Sequence, residues 1–206
     1  MISVEHWNVR GLQDHKKRSS VFNHIRLSQN DIFVLSETHT DYSLASEFSY
    51  ALWPHRSIWT AFSSASAGVA IIVLNKNLQV SEIVHCIKGS FITAEILCDS
   101  WFAPIYLTVV YIPSERKKRT EWISNTLPSI PLSENNIIIG DFNFVENQKD
   151  RISGKPGGGL HGAKEFSLWS DLNSFIDPWT PTSNTPCTSF HSTLSLKRKP
   201  WSARLD

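Results

Sequence analysis

Asn136-Ile137-Ile138-Ile139-Gly140-Asp141-Phe142-Asn143 reads as a short buried strand that breaks, at a glycine, into a carboxylate and a carboxamide. In sheets flanked by helices the reactive groups collect outside the carboxyl ends of the strands, so this break points Asp141 and Asn143 at a site. Three other apolar runs end in the same manner. Ile2 to Trp7 ends in Asn8-Val9-Arg10-Gly11-Leu12, Ile32 to Leu35 in Ser36-Glu37-Thr38, and Ile105 to Val110 in Tyr111-Ile112-Pro113. The expectation is a single rim carrying Asn8, Glu37, Tyr111, Asp141 and Asn143.

Working outward, runs at 2–7, 32–35, 57–62, 68–74, 91–97, 104–111 and 136–139 have strand length with β-branched or aromatic content. Lys16 to Leu27, Glu115 to Leu127 and Ala163 to Phe175 carry helical spacing. The chain is therefore α/β. Runs 57–62 and 68–74 stand too close for a helical crossover and predict an antiparallel hairpin, which makes the sheets mixed. Ile152 to Gly162 holds five of the nine glycines and predicts a surface loop, either a tolerated insertion or a loop touching a substrate groove. No repeat or linker divides the sequence, so one domain over 1–206 is expected.

At 206 residues, with 41% hydrophobic and 19% charged residues, the chain is long enough for one buried core and ordinary for a globular protein. It has no run of about 18 apolar residues and no basic-then-apolar start, which predicts an intracellular protein with no membrane partner. Cys86, Cys98 and Cys187 lack close metal-ligand spacing and read as free thiols. A net charge of +1 announces no nucleic-acid partner, yet Lys16-Lys17-Arg18, Arg116-Lys117-Lys118-Arg119 and Lys197-Arg198-Lys199 gather half of the 20 lysines and arginines. Any one such cluster is also compatible with a plain solvated face. The second follows Ser114, an N-cap candidate, and four cations in a first helical turn oppose the macrodipole. That conflict with local rules hints at an anionic partner such as a phosphate backbone.

Taken in order, the blocks Trp7-Asn8-Val9-Arg10-Gly11-Leu12, Ser36-Glu37-Thr38-His39, Val110-Tyr111-Ile112-Pro113, Gly140-Asp141-Phe142-Asn143 and Arg204-Leu205-Asp206 resemble the endonuclease/exonuclease/phosphatase superfamily. This group includes deoxyribonuclease I and the exonuclease III type of apurinic endonucleases. The endonuclease domain of non-LTR, LINE-type retrotransposons is the closest resemblance, and it runs nearly the whole length. It implies a four-layer sandwich of two mixed sheets flanked by helices.

A Glu after a strand is, taken alone, a solvated loop residue, and Asp141 with Asn143 could form an Asx-turn. The resemblance gives them roles. Glu37 would bind a magnesium or manganese ion with Asn8 assisting, a sparse oxygen set of the kind magnesium prefers. Asp141 would orient or deprotonate the attacking water, Asn143 contact the scissile phosphate, and Tyr111 face that phosphate. Arg10 and the Arg116, Lys117, Lys118, Arg119 cluster are the candidate DNA contacts. Asp206 resembles the Asp that orients a catalytic His in a following Ser-Asp-His block. No such block occurs in the 206 residues, so the resemblance implies a domain lacking its last strand or strands and of doubtful catalytic competence.

The activity implied is magnesium-dependent nicking of DNA to a 3′ hydroxyl, in the nucleus, with a reverse transcriptase domain as partner in a parent polyprotein. An abasic-site repair endonuclease and an inactive retrotransposon-derived fragment are the alternatives.

Overall fold

The computed structural model describes residues 2–49, 56–60, 62–63, 65–85, 89–144, 161–175 and the backbone of 204–205. These fall into two compact units. The first is drawn from 2–111, 130–141 and 204–205, and the second from 112–129, 142–144 and 161–175.

The first unit holds both sheets. β1 (Ile2–Asn8), β2 (Ile32–Ser36), β3 (Ser57–Trp59), β4 (Val69–Val73) and β9 (Arg204–Leu205) form one sheet in the order β3-β4-β2-β1-β9. β5 (Leu78–His85), β6 (Phe91–Cys98), β7 (Ile105–Tyr111) and β8 (Asn136–Asp141) form the other in chain order. Each sheet mixes one parallel pair, β1 with β2 and β7 with β8, with antiparallel ladders. The hairpin of β3 and β4 is antiparallel, as its short connection requires.

Alternation decides the packing. Ile2 and Val4, Ile32 and Val34, and Val69, Ile71 and Val73 turn one face of the first sheet toward Ile92, Ala94, Ile96, Leu107, Val109 and Ile139 of the second. The opposite face of the first sheet, with Phe33, Leu35, Ala70 and Ile72, is covered by α1 (His15–Leu27) through Val21, Phe22 and Ile25, and by Phe48 just beyond α2 (Tyr42–Glu47). Asp14 caps α1 by accepting from Lys17 N, and Asp41 caps α2 by accepting from Leu44 N.

The second unit holds α3 (Arg116–Asn125) and α4 (Ala163–Leu172). The N-cap of α3 is Glu115 rather than the expected Ser114, and no side chain caps it. Phe142, Phe144, Phe166, Trp169 and Phe175 form a ladder of ring contacts 5.2 to 6.0 Å apart. Among the described residues no helix is long and apolar enough to cross a membrane.

Candidate active site

Asn8, Glu37 and Asp141 leave β1, β2 and β8 at the same end of the first unit, and the Asn8 amide joins them. Its Nδ2 donates to Glu37 Oε1 at 2.9 Å and to Asp141 Oδ2 at 2.6 Å. Asn8 reaches across the two sheets to do so. Its Oδ1 accepts from the backbone N–H of Arg10 at 3.1 Å. Tyr111 is paired with Asp141 across the β7–β8 ladder. Thus four of the five residues expected at one rim are brought together within this unit.

The backbone explains why Glu37 holds its place. Val9, Gly11 and Leu12 donate to the carbonyls of Ser36, Glu37 and Thr38 on one side, while Thr38 and His39 donate to Gly68 and Ala67 on the other. Clamped so, Glu37 takes φ +53°, and Arg10 and His39 take +48° and +51°. Left-handed backbone at non-glycine residues costs of order 1–3 kcal/mol each and persists where the surroundings impose it. Two glycines permit the arrangement. A Cβ on Gly68 would strike the Thr38 hydroxyl, and one on Gly140 would strike the Val110 carbonyl in the adjacent strand. Gly140 therefore lets β8 run close beside β7 up to Asp141.

His6 lies two residues before Asn8 on the same face of β1, and the sequence reading passed it over. The alternation of β1 was the signal that would have found it. It is 6% exposed, and its Nε2 shares a 2.9 Å hydrogen bond with Ser36 Oγ. Burial pushes its pKa down to about 4, against a smaller upward pull from the Asp141 carboxylate, so the ring is neutral at pH 7. His39 Nε2 stands 3.8 Å from Glu37 Oε2. Burial lowers its pKa as well, opposed by Glu37. Lys17 donates Nζ to the Arg10 carbonyl; burial and the Arg10 charge lower its pKa, with Asp14 and Glu37 opposing.

Other expectations are met differently. Asn143 belongs to the second unit, where it takes φ +54° and donates Nδ2 to Ile112 O at 2.8 Å. Arg10, Arg116, Lys117 and Lys118 are exposed, with Lys118 paired to Glu115 at 2.7 Å. Arg119 corrects its assignment as a DNA contact. It is 7% exposed, and its guanidinium is spent on the carbonyls of Pro113, Ser114 and His161. A charge so enclosed clasps the chain rather than offering itself to a phosphate. Asp206 and Lys197-Arg198-Lys199 lie outside the described residues.

The donor set suits a hard cation. Two carboxylates and a carboxamide meet, oxygen-bearing groups of the kind a hard cation takes. As oriented, Asn8 turns its N–H group and not its oxygen toward the carboxylates. It therefore spaces the two acids, and Glu37 and Asp141 are the oxygens available to a metal.

The model of the Endonuclease/Exonuclease/phosphatase family matches residues 6–194. The chain belongs to this family. An AP endonuclease from Leishmania major shares the family fold with TM-score 0.61 and 17% identity, over 84% of this chain and 66% of that one. An AP endonuclease from Archaeoglobus fulgidus matches with TM-score 0.62 and 15% identity, over 84% and 71%. The endonuclease domain of TRAS1, a telomere-specific non-LTR retrotransposon, matches with TM-score 0.56 and 14% identity, over 83% and 72%. No curated protein matches the sequence. The present family member thus spans about two thirds of the Leishmania chain's length.

Proposed function

We propose that the chain is a divalent-metal-dependent phosphodiester hydrolase that nicks DNA and leaves a 3′ hydroxyl, in the manner of a retrotransposon endonuclease priming reverse transcription in the nucleus. The observation that carries this reading is the Asn8 amide holding Glu37 and Asp141 together at the strand exits of a chain in this family. Magnesium, or manganese in its place, would be held by Glu37 and would neutralise charge on the phosphate oxygens.

The protein's own groups supply the rest. Asp141, held at its Oδ2 by Asn8, orients the attacking water and accepts its proton as the new oxygen–phosphorus bond forms. The bond from phosphorus to the 3′ oxygen breaks, giving a 3′ hydroxyl and a 5′ phosphate. Tyr111 flanks Asp141 on the neighbouring strand, where a phenol can donate to the same phosphate. Asn143 contacts the scissile phosphate, while exposed Arg10, Arg116, Lys117 and Lys118 meet the flanking backbone. The sequence pattern Ser36-Glu37-Thr38-His39 with Asn8-Val9-Arg10-Gly11-Leu12 supports the retrotransposon type, and a reverse transcriptase domain is the partner this implies.

Relaxation of supercoiled plasmid with magnesium, with circular dichroism alongside, is the test. Glu37→Gln should weaken the metal dependence. Asp141→Asn should cut nicking by about a hundredfold or more while the protein stays folded. Retained nicking by folded Asp141→Asn would refute the mechanism. A duplex cleaved only where it carries an abasic site would move the chain to the repair class, and absence of any cleavage would mark an inactive fragment.

A further inference from the structure

The loop that leaves β1 is fastened by two cations of α1, and the reaction described above gives them no part. Residues 10 to 13 run from the strand exit to Asp14, the N-cap of α1. Arg10 and Gly11 both take left-handed backbone, with φ +48° and +88°. Side chains from the first turn of α1 close over this bend. Lys17 Nζ donates to the Arg10 carbonyl at 2.7 Å, and Arg18 Nη1 donates to the carbonyls of Leu12 and Gln13 at 3.0 and 3.1 Å. The Arg18 guanidinium lies over the buried Phe48 ring, 5.5 Å from its centroid, which seats it on the core.

The N–H groups of the loop point the other way. Arg10 N–H donates to Asn8 Oδ1 at 3.1 Å, Gly11 N–H to the Glu37 carbonyl at 2.6 Å and Leu12 N–H to that of Thr38 at 2.9 Å. The loop is therefore held between the acid pair and α1, and the Arg10 side chain is left exposed. Left-handed backbone at a residue such as Arg10 persists only where the surroundings impose it, and charged donors on three of the loop's carbonyls do so. Lys16-Lys17-Arg18 reads in the sequence as a cluster open to phosphate, yet two of its three members are committed to the chain's own backbone. We propose that Lys17 and Arg18 are positioning residues: they hold the β1–α1 loop in the bend that turns Arg10 outward to a DNA phosphate, and they touch no phosphate themselves. The part played by DNA rests on the nicking reading proposed for this site; the clasp on the loop does not.

Duplex binding by anisotropy across a salt series, in chelator so that nothing is cleaved, separates positioning from direct contact. Each phosphate contact contributes about 0.9 to the slope of log Kobs against log salt. Arg18→Lys keeps the charge and loses the planar fork, so a direct contact would keep its slope. The expected result is a slope lowered by about 0.9 in Arg10→Met, Arg18→Lys and Lys17→Met alike, with no further fall when either of the last two is combined with Arg10→Met. An unchanged slope in Arg18→Lys, or additive falls in Lys17→Met with Arg10→Met, would overturn the proposal. The Lys17 side chain is exposed, so its variant folds whatever becomes of Arg18→Lys. Hydrogen exchange reads the clasp without DNA: the Gly11 and Leu12 amides should exchange about tenfold faster in Lys17→Met and Arg18→Lys, while the amides of the β1–β2 ladder keep their rates. Parent-like exchange at Gly11 and Leu12 would refute the clasp. A parent protein that binds no duplex would defeat the nicking reading, and the exchange rates would still decide the fate of this one.

Discussion

Asn8→Asp keeps the size of the side chain and reverses the sense of its two key contacts. In the structure Nδ2 donates to Glu37 Oε1 at 2.9 Å and to Asp141 Oδ2 at 2.6 Å. The substitution replaces both by carboxylate–carboxylate approaches. Two charge-assisted hydrogen bonds are lost, each about 1 kcal/mol after discounting for a site that is only partly sheltered, the Glu37 side chain being 17% exposed. Each new like-charge contact near 3 Å adds roughly 1–5 kcal/mol for an effective dielectric constant between water and about 20, and protonation of one group limits the total. A destabilisation of about 3–5 kcal/mol follows in metal-free buffer, a large share of a typical domain's stability. Millimolar magnesium should restore much of it, because three carboxylates bind a cation better than two. Urea unfolding with chelator and with magnesium, run beside Asn8→Ala, measures both halves. If Asn8→Asp equals the parent in chelator and gains nothing from magnesium, the two acids do not converge on Asn8 and the site described here is wrong.

Gly140→Ala should destabilise by about 2–4 kcal/mol, combining a backbone conformation reserved for glycine with disruption of the β7–β8 ladder at Val110; a parent-like melting curve would contradict the close approach of the two strands. Arg119→Gln should cost about 2–4 kcal/mol in urea unfolding by stripping donors from three carbonyls, whereas Lys117→Gln should leave stability alone and lower the salt dependence of duplex binding measured by anisotropy. At Asp31, burial pushes the carboxyl up, but donation from Ser3 N–H, the Asn75 amide and the Ser3 hydroxyl outweighs it and holds the pKa below 3.8. Its stabilising effect is therefore full above about pH 4 and lost as pH falls through the lowered value. Between pH 6 and pH 3 the urea midpoint of the parent should drop more than that of Asp31→Asn, and parallel curves would refute the assignment.

What the sequence revealed and what it hid follow from the range of the interactions involved. Val69-Ala70-Ile71-Ile72-Val73 is apolar because both faces of β4 are covered, and Ile137-Ile138-Ile139 is apolar although only Ile139 is fully buried; both runs were legible without partners. β5 was not, because Leu78 to His85 intersperses Gln79, Ser81 and Glu82 on an edge strand with an irregularity between Glu82 and Val84. α2 is six residues long, too short for a period to show, and is marked only by the Asp41 cap. At the site, Asn8, Glu37, Tyr111 and Asp141 could be read from strand exits. Arg119 looked like a surface cation in a run of four, and only its bond to His161, 42 residues on, reveals that it is enclosed. Alternation along β1 puts His6 on the face of Asn8, but its partner Ser36 lies 30 residues away on β2, and nothing local to His6 announces that contact.

The hydrogen bond from Asn8 to Asp141 joins residues 133 apart in the chain. Both parallel ladders lie beside it, and pairings between distant segments are the slow part of folding because loop-closure entropy must be met before they return any stabilisation. The cluster of Asn8, Glu37 and Asp141 therefore cannot assemble on a nascent or partly folded chain, since β8 must dock before Asp141 meets its partner. A cation that binds these oxygens tightly binds only the completed topology, so its affinity doubles as a clock on the last stage of folding.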